Sequence, residues 1–111
     1  MSVDQELAGR IRALIALDPR VTEKKMFGGI VFLLDGRILV GVRRTGSLLV
    51  QCGGDVAAKA IATPGVGHMI MAGKPAANFI DVEAEYLDTD EDLQRWISLA
   101  EGYVAALGEK R

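Results

Sequence analysis

The chain has 111 residues, half of them hydrophobic and a quarter charged, with a formal net charge of −2; that is room for one domain around one core, in proportions ordinary for a soluble globular protein. A weakly acidic chain offers little to nonspecific nucleic-acid binding, which rests mostly on cation–phosphate contacts. Unbroken apolar runs such as Ile30 to Leu34 fall far short of the ~18 residues of a membrane span, and a lone cysteine, Cys52, excludes an internal disulfide or a cysteine zinc site.

In chain order, Ser2 is placed to cap a first helix, with Gln5 three residues on in capping-box spacing. Leu7, Ile11, Leu14 and Ile15 then form one apolar helical stripe, and Asp18-Pro19 stops it, because the residue before proline is pushed out of the helical region. Glu23-Lys24-Lys25 reads as a charged turn leading into Met26-Phe27-Gly28-Gly29. Three strands are expected next: Ile30–Leu34, then Arg37–Arg43 with Ile38, Val40 and Val42 on one face, then Ser47–Cys52 with Leu48, Val50 and Cys52 alternating against Leu49 and Gln51. Asp35-Gly36 is a strong two-residue hairpin signal between the first two, and Arg44-Thr45-Gly46 turns into the third.

Asp55 is expected to cap a short, alanine-rich helix over Val56–Ala62, ended by Thr63-Pro64-Gly65. His68–Ala72 reads as a fourth strand, Gly73-Lys74-Pro75 as a turn, and Asn78–Tyr86 as a fifth strand with Ile80, Val82, Ala84 and Tyr86 inward and Asp81, Glu83 and Glu85 in water. Thr89 caps the last helix, whose first turn, Asp90-Glu91-Asp92, suits the helix dipole, and whose inward stripe runs through Leu93, Trp96, Ile97, Ala100, Tyr103, Val104 and Leu107. The order α-β-β-β-α-β-β-α, unbroken by any linker or repeat, predicts a single α+β domain over 1–111: a two-layer sandwich with a five-stranded antiparallel sheet and helices mainly on one face. Because the first strand is apolar on both faces, its outer side calls for a second cover, and a partner copy in a homodimer is the expectation.

Few residues invite chemistry. Gly67 to Lys74 resembles a phosphate loop but has five residues between its glycines where four are needed, and Pro75 follows the lysine where Ser or Thr would hold magnesium. His68 is the only histidine and has no obvious partner as a general base; Cys52 reads as a small buried hydrophobe unless Arg43 and Arg44 activate it. Asp81, Glu83 and Glu85 read as a solvated strand face. The expectation is a protein that is not an enzyme and has no cofactor, catalytic residue or metal site. Charge is unevenly distributed: residues 1–80 carry 10 Lys+Arg against 6 Asp+Glu, and residues 81–111 carry 3 against 9. The candidate contact surface is therefore the basic hairpin region with the glycine motif: Lys24, Lys25, Met26, Phe27, Gly28, Gly29, Arg37, Arg43 and Arg44. Adjacent glycines can also offer bare backbone N–H groups to an anion, so a small-ligand module at Gly28-Gly29 is the alternative and direct nucleic-acid binding by the basic hairpin the third. With its polar, acidic first residues unlike a secretory signal, the chain is expected in the cytosol.

Arg20 to Gly29, with its Met-Phe-Gly-Gly block, the hairpin at Asp35-Gly36, the stretch from Gly73-Lys74-Pro75 into the fifth strand, and the acidic-capped last helix with Leu93 and Trp96 together resemble the N-terminal domain of the TfoX/Sxy family. The likeness runs over roughly residues 5–107. It implies a two-layer α+β domain like the secretion-chaperone fold. It also implies kinship with bacterial regulators of natural competence that act on transcription alongside a cAMP-receptor-type activator, here without the C-terminal helical domain that named members carry. It supplies no catalytic residue.

Overall fold

The computed structural model describes residues 3–15, 18–26, 29–71 and 73–109. Its elements in order are α1 (Val3–Ile15), β1 (Val21–Met26), β2 (Gly29–Leu34), β3 (Arg37–Val42), β4 (Leu48–Gln51), α2 (Gly54–Ala60), β5 (Val66–Met71), β6 (Lys74–Val82), a 3-10 turn (Ala84–Tyr86) and α3 (Asp90–Glu109). The protein is α+β, with a six-stranded sheet in the order β1-β2-β3-β4-β6-β5 and every neighbouring pair antiparallel. The expected five strands become six because the charged segment at Glu23-Lys24-Lys25 is not a turn. It is the middle of β1, paired along its whole length with β2 from Val21↔Leu34 to Met26↔Gly29.

The helices gather on one face. α3 lies over β3 and β4, α2 over β6 and β5, and α1 over β2 and β3 and against α3. The core between the layers takes Leu7, Ile11 and Ile15 from α1, Leu93, Ile97, Ala100 and Val104 from α3, and Phe32, Leu34, Leu48, Val50, Cys52, Ile80 and Val82 from the sheet. The helix stripes are thus those that a 3.6-residue period selects. Thr89 caps α3 as expected, its Oγ1 accepting from the Asp92 backbone N–H at 3.0 Å. The cap assigned to Ser2 lies outside the described residues. α2 starts earlier than expected, at Gly54, and its N-cap is Gly53, without a side-chain cap from Asp55.

Two local features set the register. Asp35 and Gly36 both have positive φ, 51° and 82°, the type I′ signature whose twist suits a two-residue hairpin. Further along, Phe32 pairs with Val40 but Leu33 pairs with Ile38, so Leu39 is an extra residue in β3. This bulge sends Leu39 and Val40 together into the core and leaves Ile38 beside Leu33 on the other face, so the expected Ile38–Val40–Val42 alternation fails there. β6 also departs from expectation. It ends at Val82, Ala84–Tyr86 form the 3-10 turn, and Leu87 takes the buried place expected for Tyr86. Lys74 and Pro75, expected in a turn, already belong to β6.

The sheet's other face carries Val31, Leu33, Leu49 and Met69, all buried yet outside the helix-side core. Val31 and Leu33 are 2% and 5% exposed within the single chain, so the outer side of β2 does not require a partner copy to shield it.

At the start of β2, a Cβ on Gly29 would collide with the Val42 carbonyl oxygen. Backbone cannot retreat as a side chain can, so Gly29→Ala is expected to cost about 1–3 kcal/mol in urea unfolding. Gly102 on α3 has open space around the same atom. There Gly→Ala is expected to gain roughly 0.5–1 kcal/mol through helix propensity alone.

Candidate functional site

Pairing register divides the predicted contact surface into groups. Met26 pairs with Gly29, Gly29 lies against Val42 and Arg43, and Arg44 is exposed in the β3–β4 turn. That turn is closed by Arg43 N–H to the Ser47 carbonyl at 3.0 Å and Gly46 N–H to the Arg43 carbonyl at 2.9 Å. Met26, Gly29, Arg43 and Arg44 thus converge at one end of the sheet. Arg37, opposite Leu34, is at the other end of β3 and does not join them. Phe27 and Gly28 lie outside the described residues.

Lys24 and Lys25 are both exposed but on opposite faces, because strand side chains alternate. Lys25 pairs with Ile30 and shares the helix side; Lys24 pairs with Val31 on the outer side. Glu23, opposite Phe32, is also on the helix side. There it takes two hydrogen bonds from Arg12 of α1, at 2.6 and 3.0 Å, which hold its carboxyl below the usual range. Sequence reasoning, reading Glu23–Lys25 as a turn, could not see this alternation.

Arg43 is not a spare cation. Its Nη1 donates to Asp81 Oδ2 at 3.1 Å, while Asp81 Oδ1 is buried and has no hydrogen-bond partner among the described residues. A groove of about 540 Å³ opens beside this pair, lined by Arg43, Thr45, Ser47, Asp81, Glu83, Ala84 and Glu85. Three carboxylates outnumber the one guanidinium, so an anion there meets net repulsion. The space a side chain would fill at Gly29 is likewise taken by a carbonyl oxygen, the wrong end of a dipole for a phosphate. Both observations weigh against an anion site at this end of the sheet.

The remaining chemical candidates have structural places. Cys52 is buried and burial pushes its thiol up, away from the reactive thiolate that activation by Arg43 and Arg44 would require. Gly67 lies in β5 and Lys74 in β6, a hairpin and not the strand-to-helix loop that cradles phosphate. Asp81, Glu83 and Glu85 do not share one strand face, since β6 ends at Val82. No group of three His, Cys, Asp or Glu among the described residues is placed to hold a metal ion, and no helix among them is long and apolar enough to cross a membrane. His68 is exposed on β5.

What the end of the sheet does offer is opposed charge. Arg43 and Arg44 in the β3–β4 turn, with Lys24 and Lys25 on β1, stand to one side, and Asp81, Glu83 and Glu85 follow on the β6 side. A second groove, about 480 Å³, lies next to it between α1 and the 3-10 turn, lined by Glu6, Leu7, Arg10, Gly46, Ala84, Glu85, Leu87 and Asp88. This arrangement of sheet, motif and loops coincides with a family match: the profile of the TfoX N-terminal domain covers residues 13–103. The chain belongs to the TfoX N-terminal domain family. No curated protein and no solved structure matched it. The family's span runs from α1 through most of α3, and so takes in the Met26–Gly29 connection, both hairpins and the acidic loop.

Acid should loosen the approach to β1. Asp18 accepts from the Arg20 backbone and guanidinium at 2.8 to 3.0 Å, and these hydrogen bonds lower its pKa from 3.8 to about 2. A folded value below the unfolded one contributes stability that is complete above pH 3.8 and lost as pH falls towards 2. Thermal melts between pH 5 and 2 are expected to fall less steeply for Asp18→Asn than for the parent chain.

Proposed function

We propose that this chain is a non-enzymatic regulatory domain of the cytoplasm that works by protein contact and self-associates. Its regulatory contact is placed where the Met26–Gly29 connection and the Arg43–Ser47 turn adjoin the acidic loop after β6. The observation that carries this reading is the juxtaposition of basic and acidic groups at one end of the sheet, within the span of the TfoX N-terminal domain family. Such a bipolar rim suits a folded protein surface with complementary charges, because mixed charge steers and selects partners. It suits a nucleic-acid backbone poorly, since Asp81, Glu83 and Glu85 would face phosphate. The resemblance to TfoX-type regulators supports a competence-related, transcription-linked partner as the finer form of the reading.

Capture experiments with the tagged chain test it. Lys24→Glu combined with Arg44→Glu is expected to weaken the regulatory partner's binding by roughly tenfold or more, with the melting temperature measured alongside to separate a lost contact from a lost fold. An unchanged set of captured partners overturns the contact site. Salt-sensitive binding to a labelled duplex, abolished by the same double substitution, would instead assign this end of the sheet to nucleic acid.

A further inference from the structure

The two edges of the sheet differ in how they meet solvent. β1 presents Thr22, Glu23, Lys24 and Lys25, all exposed, with Glu23 clasped by Arg12. Charge of this kind on an edge discourages a stray strand from pairing. β5, at the opposite edge, reads Val66-Gly67-His68-Met69-Ile70-Met71 and carries no Asp, Glu, Lys or Arg. It pairs with β6 on one side, and it holds Ile70, 58% exposed.

Ile70 is one of three exposed large hydrophobic residues among those described, and the other two flank the start of the same strand. Ile61, 36% exposed, ends α2 just before the turn into β5. Tyr86, 40% exposed, lays its ring over Gly65, so close that a Cβ there would collide with it. Uncharged backbone edge and exposed apolar side chains therefore coincide along β5.

We propose that β5 is the self-association strand: a second copy of this chain pairs its β5 antiparallel to this one across a two-fold axis, joining two six-stranded sheets into one. The inference rests on the self-association in the functional reading above and gives it a place away from the charged end at Arg44. Self-complementarity under antiparallel pairing argues for a second copy as the occupant. It carries the Ile70 end of one β5 to the Val66 end of the other, where Tyr86 and Ile61 stand, so the exposed apolar groups of each copy meet those of its partner. No charged side chain of β5 is set against a like charge. The contact also closes on itself, whereas β5 against β1 would be head-to-tail and would leave a free edge at each end for open-ended growth; the charges on β1 oppose that.

Sedimentation velocity on the full chain across the micromolar range tests the proposal. The parent chain is expected to be a dimer. Ile70→Lys, at an exposed position with a melting temperature expected near the parent's, should weaken it by roughly tenfold or more, since the two-fold axis counts each substitution twice. His68→Glu should act in the same direction, and Lys24→Glu on the β1 edge should leave the dimer intact. Hydrogen exchange should show the β5 amides that point away from β6 protected in the parent and opened in Ile70→Lys. A parent chain that stays monomeric overturns self-association and the β5 pairing together. A dimer unaffected by Ile70→Lys and His68→Glu, with the outward-facing β5 amides open, overturns the β5 pairing and leaves self-association standing elsewhere.

Discussion

Three helices bury a single face of the sheet, and the rest of the architecture is arranged around that one-sided burial. Phe32, Leu39, Val40, Leu48, Val50 and Ile80 meet Ile11, Leu93 and Ile97 across the layer boundary, each almost wholly out of water. Because apolar burial is the dominant favourable term in folding, the central strands send large side chains to that side, while Val31, Leu33, Leu49 and Met69 form a smaller buried set on the other. The bulge at Leu39 and the positive-φ turn at Asp35-Gly36 are the local devices that allow it. The loops at the strand ends are then free to carry charge.

Much of this was legible from residue patterns. The stripes of α1 and α3 follow from helical spacing, and the Thr89 cap and the Asp35-Gly36 hairpin from local hydrogen bonding and backbone preference. What escaped was non-local. Glu23-Lys24-Lys25 has the composition of a turn because β1 is an edge strand. An edge strand needs few apolar residues and benefits from charge, so its identity lies in its pairing with β2. The Leu39 bulge was invisible for a similar reason: both phases of Ile38-Leu39-Val40 are apolar, and only the register against Phe32 and Leu33 distinguishes them. Tyr86 read as core by extending a period of two past Val82, where the backbone coils into a 3-10 turn.

The candidate site was partly legible. The sequence drew attention to the Met26–Gly29 block and the basic residues around it. It could not show that Arg37 sits at the far end of β3, that Lys24 and Lys25 face opposite sides, or that Arg43 is engaged by Asp81 from a strand 38 residues away. The glycine pair drew attention as a source of bare backbone N–H groups, and what lies against Gly29 is a carbonyl oxygen rather than a ligand. The functional weight moves accordingly from bare glycine backbone to the charged loops beside it.

The bulge has an implication for how such a sheet tolerates change. With Leu39 and Val40 adjacent and both directed inward, β3 is out of step with β2 by one position, while β4 pairs with Val40–Val42 in a single register. Inserting or deleting one residue between Leu39 and Val42 would turn the following side chains to the opposite face, whereas exchanging one aliphatic residue for another of similar volume there would disturb little. In this strand length is the constrained quantity and side-chain identity the flexible one, the reverse of what holds in the loops that carry the charge.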